Sequence, residues 1–115
     1  LAILAFNQLK KLDRFNRERK KISEFYAKKP VDGIYLRYPM LVDNPEKIIN
    51  NAKKHGVLLG NWYHNVIDPA GVAFDAIGYK PGSCPNAEQV ARHIINLPTR
   101  ITLREAHYVT RQING

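Results

Sequence analysis

The stretch CPNAEQVARHIINLPT, residues 84–99, decides how the rest of the chain is interpreted. Its apolar residues recur at i, i+3, i+4, i+7 and i+8, the spacing that places side chains on one face of an α-helix. Pro85 suits the first helical position because its missing N–H has no partner there, and Asn86 with Gln89 is an alternative capping pair. Leu97-Pro98 ends the pattern, because the residue before a proline is pushed out of the α region. The spacing predicts one core helix whose buried face consists of Ala87, Val90, Ala91, Ile94 and Ile95.

Length and composition limit the class of protein. At 115 residues the chain is long enough for one domain, and its 44% hydrophobic and 24% charged content is ordinary for a soluble globular protein. No apolar run approaches the roughly 18 residues of a membrane span, and a single cysteine excludes an internal disulfide. These features favour the cytoplasm. Because the chain starts with Leu1 and is helical in pattern from the outset, we expect a piece of a longer polypeptide.

The positive charge is concentrated at the start of the chain. The formal net charge is +8, and residues 1–29 carry nine basic and three acidic residues, which gives +6. We expect the basic side chains to lie on a helix face that is exposed to solvent, or that packs on an acidic neighbouring domain. The alternative is a non-catalytic interaction module that contacts nucleic acid or an acidic partner.

The remaining segments predict a small α+β domain, a short sheet with helices packed on one side, preceded by a long helix. Residues 1–27 form that helix, which Lys29-Pro30 ends, so that residues 1–29 link to a domain outside the chain and residues 30–115 form the small domain. Strands are predicted over residues 33–42, with Ile34, Leu36, Tyr38 and Met40 facing inward, and over residues 57–59. Asn44-Pro45 and the Thr102–Glu105 capping box open two further helices, and residues 60–82 form a long irregular loop.

No self-sufficient catalytic or metal-binding constellation is visible in the sequence. The four histidines lie far apart without the spacing of a zinc site, and Cys84 has no obvious paired base, so we interpret it as a packed or capping residue. The long loop is different, because Trp62, Tyr63 and His64 supply a stacking surface, a hydroxyl group and a titratable donor. Two interpretations stay open here: these side chains contact a substrate, or Trp62 and Tyr63 fill the core or a domain interface.

Several segments together resemble a known family. QLKKLDRFNRERKKISEFY (residues 8–26), RYPMLV, KKHGVLLGNWY and CPNAEQVARHIINLPT are similar, in this order, to the C-terminal part of the DegT/StrS sugar aminotransferases. Pro85, Ala87 and Glu88 match the family's Pro-x-Ala-Glu pattern, and Leu97-Pro98 its Leu-Pro. The resemblance covers nearly all of the chain, and the shared order of the motifs is what makes it specific.

The resemblance implies the small domain of a fold-type-I transaminase, a homodimer that holds pyridoxal 5'-phosphate (PLP) in a large domain absent from this chain. It implies no catalytic and no cofactor-binding residue here. Tyr63 matches the family's tyrosine at a strand end. Five residues on, many members have a histidine where this chain has Asp68, and its histidine is instead His64. We therefore expect Trp62, Tyr63, His64 and Asp68 to contact substrate.

The function that follows is amino transfer. We expect the parent enzyme to move an amino group from an amino acid, with glutamate as the donor, to a keto-sugar that is linked to a nucleotide. The fragment alone is expected to be inactive and to bind neither PLP nor a metal.

Overall fold

The computed structural model describes residues 1–69 and 71–114. Five α-helices, one short 3₁₀ helix and a two-stranded sheet follow one another in these residues, which confirms the α+β class. The helices are α1 (Ala2–Leu9), α2 (Leu12–Ala27), α3 (Pro45–Lys54), α4 (Pro85–His93) and α5 (Leu103–Asn114), and the 3₁₀ helix is Phe74–Ile77. The strands are β1 (Arg37–Leu41) and β2 (Ile94–Pro98). None of the described helices is long and apolar enough to cross a bilayer.

The chain divides into two compact units. The first consists of residues 1–38 and 97–114, and the second of residues 39–96. The division that the sequence suggested, between residues 29 and 30, stays a prediction.

The first unit is built on α2 and α5. Its buried apolar residues come from both helices, from the segment after α2 and from the end of β2 (Ile22, Tyr26, Val31, Leu97, Ala106 and Val109). The Phe25 ring meets the His107 ring edge-on at 4.5 Å between centroids, and the Tyr26 hydroxyl donates to the Pro98 carbonyl at 3.1 Å. Thr99 is 1% exposed, and its hydroxyl lies 2.8 Å from the Tyr35 carbonyl oxygen and 2.7 Å from that of Leu36.

The second unit is built around β2, with Ala52, Val57 and Ile95 as its buried apolar residues. The Val42 N–H donates to the His93 carbonyl at 2.8 Å where β1 ends and β2 begins. Gly60 pairs with Asn96 in an isolated antiparallel bridge. Helix α3 begins as predicted, because Asn44 Oδ1 accepts the Lys47 N–H at 3.1 Å and Pro45 occupies the first turn. Gly56 follows its end at φ +74°, the left-handed position where glycine is favoured.

The predicted core helix over residues 84–99 is wrong in its second half. Helix α4 ends at His93, and Ile94 turns to φ −83°, ψ 136°, so that residues 94–98 form a strand. The buried apolar side chains of this strand are those of Ile95 and Leu97, both 0% exposed, whereas Val90 on the predicted buried face is 41% exposed. Two adjacent β-branched residues, followed by a leucine before proline, suit a strand that has backbone partners at β1 and Gly60.

The predicted helix over residues 1–27 is interrupted once. The Lys11 N–H bonds to the Gln8 carbonyl, an i−3 contact of the 3₁₀ type, whereas the Lys10 N–H bonds to Phe6 in the α-helical pattern. Every residue of α1 is exposed, so no burial within the described residues reinforces a continuous helix. Helix α2 ends at Ala27, as predicted, and Lys28 follows at φ 54°, just before Lys29-Pro30.

The predicted strands are also corrected. Only residues 37–41 of the stretch 33–42 form a strand, and Ile34 and Leu36, predicted to face inward, are 48% and 74% exposed. The carbonyl oxygens of Tyr35 and Leu36 accept from the Thr99 hydroxyl instead of from the backbone of a neighbouring strand. Residues 57–59 form no strand, because the backbone pairing with Asn96 begins only at Gly60.

Candidate functional site

The candidate site is the loop of residues 61–82, of which the structure describes all but residue 70. Trp62 and Tyr63 are 60% and 69% exposed, so they do not fill the core of their unit. They follow Gly60 after one residue, Asn61, and the bridge of Gly60 to Asn96 ends the regular backbone pairing. The two aromatic side chains are thus presented to solvent at the end of a fixed segment.

Asn96 holds the start of this loop through its side chain as well as its backbone. The residue is 7% exposed in β2, and its Oδ1 accepts the Trp62 N–H at 2.5 Å. Its N–H donates to the Gly60 carbonyl at 2.7 Å, and its carbonyl accepts the Gly60 N–H at 2.9 Å. Three hydrogen bonds from one residue therefore fix the backbone immediately before Tyr63.

His64 and Asp68 face each other within the loop. His64 Nδ1 lies 3.9 Å from Asp68 Oδ1, a distance for charge attraction rather than a hydrogen bond. The two side chains are 48% and 26% exposed. His64 also lines a cavity of about 190 Å³, together with Phe74, Tyr79 and Arg92. The aromatic rings and polar groups at this cavity are of the kind that bind small polar molecules.

The far end of the loop is held by Glu88 of α4. Its Oε1 accepts both the Tyr79 hydroxyl and the Gly82 N–H, each at 2.6 Å, and its Oε2 lies 3.9 Å from the Arg92 guanidinium. The Tyr79 hydrogen bond, followed by that of Gly82, lowers the pKa of the Glu88 carboxyl. The same bond to Glu88 is the largest cause that raises the pKa of Tyr79. Glu88 is therefore a carboxylate at neutral pH with one oxygen fully engaged by the loop.

Sequence reasoning assigned no role at the site to Glu88, Asn96 or Arg92. For Glu88 the sequence carried one usable signal: it lies in the first turn of a predicted helix, shortly after Tyr79 and Gly82. That signal does not specify which backbone and side-chain donors reach the carboxylate. For Asn96 the sequence carried no such signal, because the apolar spacing predicted a helix there and not a strand beside the loop.

The other residues that the sequence singled out have local partners. Cys84 was predicted to be a packed or capping residue; it occupies the N-cap position of α4 and its carbonyl accepts the Glu88 N–H, but it is exposed and its side chain makes no capping hydrogen bond. His55 Nδ1 contacts the Asn51 carbonyl at 2.9 Å, and His93 Nδ1 contacts the Gln89 carbonyl at 2.8 Å. Within residues 1–69 and 71–114, no three His, Cys, Asp or Glu residues come together as metal ligands.

The described residues do not fit PLP. An imine-forming lysine has to lie in a sheltered pocket where burial lowers its pKa, and every lysine in the described part of the chain is exposed. No lysine lines the cavity beside His64. These residues can contact a substrate, but they do not form a PLP site.

Comparison with known proteins identifies one family. The model of the DegT/DnrJ/EryC1/StrS aminotransferase family matches residues 1–114. A search of curated proteins returns no significant match.

Proposed function

The chain belongs to the DegT/DnrJ/EryC1/StrS aminotransferase family, and from this premise we propose that it is the C-terminal small domain of an enzyme that aminates a keto-sugar. The amino donor in this proposal is an amino acid, with glutamate expected, and the sugar is linked to a nucleotide. The enzyme works as a cytoplasmic homodimer that includes a large domain. Members of the family use PLP, and the proposal assigns the cofactor to that domain, because the residues described here do not fit it.

The role of this chain in the proposal is to contact the substrate. The observation that carries it is the exposure of Trp62 and Tyr63 at the fixed start of the loop. The apolar face of Trp62 suits the C–H groups of a sugar ring, and the Tyr63 hydroxyl and the His64 imidazole suit its hydroxyl groups. Asp68 lies 3.9 Å from His64, so both polar side chains are available on the same part of the loop.

Steady-state kinetics of the full-length enzyme test the proposal. With a nucleotide-linked keto-sugar and glutamate as substrates, Tyr63→Phe and His64→Ala should each raise KM for the sugar about tenfold. Tyr108→Phe is the matched control, because Tyr108 is another partly exposed tyrosine, on α5 in the other unit. If both loop variants have the KM of the control, the loop does not bind the sugar.

A separate experiment tests where the cofactor binds. The 115-residue chain is incubated with PLP, reduced with borohydride and analysed by peptide mass spectrometry. We expect weak labelling spread over several exposed lysines. Stoichiometric labelling of one lysine would contradict the assignment of PLP to the large domain.

A further inference from the structure

We propose that Glu88 and Asn96 are positioning residues, which fix the two ends of the loop so that Tyr63 and His64 are held ready for the substrate. This inference rests on the proposed function, since it concerns the same site. Neither residue is assigned a contact with substrate. Both residues act through the loop: Asn96 accepts a hydrogen bond from Trp62, and Glu88 accepts hydrogen bonds from Tyr79 and Gly82.

The first end of the loop is fixed at Asn96. Its side-chain oxygen takes the Trp62 N–H, and its backbone exchanges both hydrogen bonds with Gly60. An asparagine that is 7% exposed has to use its polar groups internally, because burying them unpaired is costly. Here the buried amide oxygen is used to fix the peptide group that joins Asn61 to Trp62, one residue before Tyr63.

The second end is fixed at Glu88. Two donors converge on one carboxylate oxygen at 2.6 Å, and bonds to an ionised acceptor are stronger than those between neutral groups. The Tyr79 ring in turn meets the Phe74 ring edge-on at 5.3 Å, which extends the fixed segment back to the 3₁₀ helix. Glu88 itself is only 18% exposed in its side chain.

Both positioning residues lie on one continuous segment, residues 85–98, which comprises α4 and β2. Three of the four predicted substrate residues, Tyr63, His64 and Asp68, lie between the two attachment points, Trp62 and Tyr79, and the fourth is Trp62 itself. His64 shares its cavity with Glu88 and Tyr79. A loop fixed at both ends loses less conformational entropy when it binds substrate, so the two contacts lower the cost of binding.

Hydrogen–deuterium exchange of the full-length protein tests the attachment at Glu88. In Glu88→Ala, amides of residues 71–82 should exchange about tenfold faster, because both donors lose their acceptor. Glu88→Gln should retain most of the protection, since its amide oxygen still accepts from Tyr79 and Gly82. Gln89→Ala is the matched control, an exposed neighbour on the same helix. Unchanged exchange in Glu88→Ala overturns the proposal.

The attachment at Asn96 is tested in the same way. Asn96→Ala should speed exchange at residues 61–66, whereas Asn96→Asp keeps an acceptor for the Trp62 N–H and should exchange more slowly than Asn96→Ala. If Asn96→Ala proves too unstable, Asn96→Asp is compared with the wild type, and protection retained at Trp62 supports the proposal. If the Trp62 amide of Asn96→Asp exchanges as fast as it would in an unfolded chain, the proposal is overturned.

Kinetics separate positioning from a general structural role. In the full-length enzyme, Glu88→Ala should raise KM for the keto-sugar about tenfold with a smaller change in kcat, and Glu88→Gln should restore KM. Faster exchange with an unchanged KM overturns the positioning role. If the wild type aminates no keto-sugar, the proposed function fails instead, and the exchange results alone then decide whether Glu88 and Asn96 fix the loop.

Discussion

The substitution Ile95→Ala tests the structure at the point where it departs from the helical pattern. Ile95 is 0% exposed at the centre of β2. The change removes three buried carbons, worth about 0.8 kcal/mol each in transfer free energy, or about 2.4 kcal/mol together. A cavity term adds to this, because a packed core relaxes only partly around the lost atoms. We expect the free energy of unfolding to fall by about 3 to 4 kcal/mol.

Val90→Ala is the matched control, since the helical pattern places Val90 and Ile95 on the same buried face. In the structure Val90 is 41% exposed. Removing its two carbons should cost less than about 1 kcal/mol, and the higher helix propensity of alanine offsets part of that. Both residues lie in the same unit of the chain as Trp62, the only tryptophan.

Urea unfolding followed by Trp62 fluorescence measures both variants. For an m value of about 1.5 to 2 kcal/mol/M, the midpoint of Ile95→Ala should fall by about 2 M, and that of Val90→Ala by less than about 0.6 M. If both variants lost the same free energy of unfolding, the strand would be refuted and the predicted helix with Val90 and Ile95 on one buried face would be favoured. A changed m value would show instead that the substitution altered the compactness of the unfolded or folded state.

Three further predictions follow from single contacts. Thr99→Val keeps the shape of a buried side chain but leaves two carbonyl groups without the hydroxyl, so the free energy of unfolding should fall by about 1 to 3 kcal/mol in urea titrations; no loss would contradict the role of the hydroxyl. Thr102→Ala removes a helix cap in which Thr102 and Glu105 bond reciprocally, and should cost about 1 kcal/mol, whereas Thr102→Ser should be close to wild type. Carbon-detected NMR should place the pKa of Glu88 below its ordinary value, and Tyr79→Phe should move it back up. Because the pKa is lowered by folding, this stabilisation is complete above the ordinary pKa and disappears as the pH falls through the lowered value; a pKa unaffected by Tyr79→Phe would contradict the hydrogen bond.

Helix starts were predictable because a cap is a local device. Asn44 accepts from Lys47, three residues on, and Thr102 exchanges hydrogen bonds with Glu105, also three residues on. Both contacts depend only on residue types within one helical turn. The sequence therefore locates the beginnings of α3 and α5 without any knowledge of the fold.

Strand β2 was not predictable in the same way, because its conformation depends on distant partners. The apolar spacing around Ile94 and Ile95 fits a helical face as well as a short buried strand. What favours the strand is pairing with β1 and with Gly60, and Gly60 is 36 residues before Asn96. The exposed Ile34 and Leu36 make the same point, since an alternating pattern without a pairing partner did not extend β1.

The candidate site was predictable in its residue types and not in its contacts. Trp62, Tyr63 and His64 stand out in the sequence because aromatic and imidazole groups are concentrated in an irregular segment. The groups that hold them are ordinary residue types, an asparagine 34 positions from Trp62 and a glutamate nine positions from Tyr79. Only the fold brings these residues together.

The chemistry of Glu88 argues for positioning over proton transfer. A general acid at neutral pH needs a raised pKa, so that it still carries its proton when the reaction requires it. Hydrogen bonds from Tyr79 and Gly82 lower the pKa of Glu88, and they occupy the oxygen that faces the loop. Its other oxygen lies 3.9 Å from the cationic Arg92, which favours the ionised form further. A carboxylate in this environment stays charged and keeps its donors, which are the properties that hold a loop in place and the opposite of those that deliver a proton.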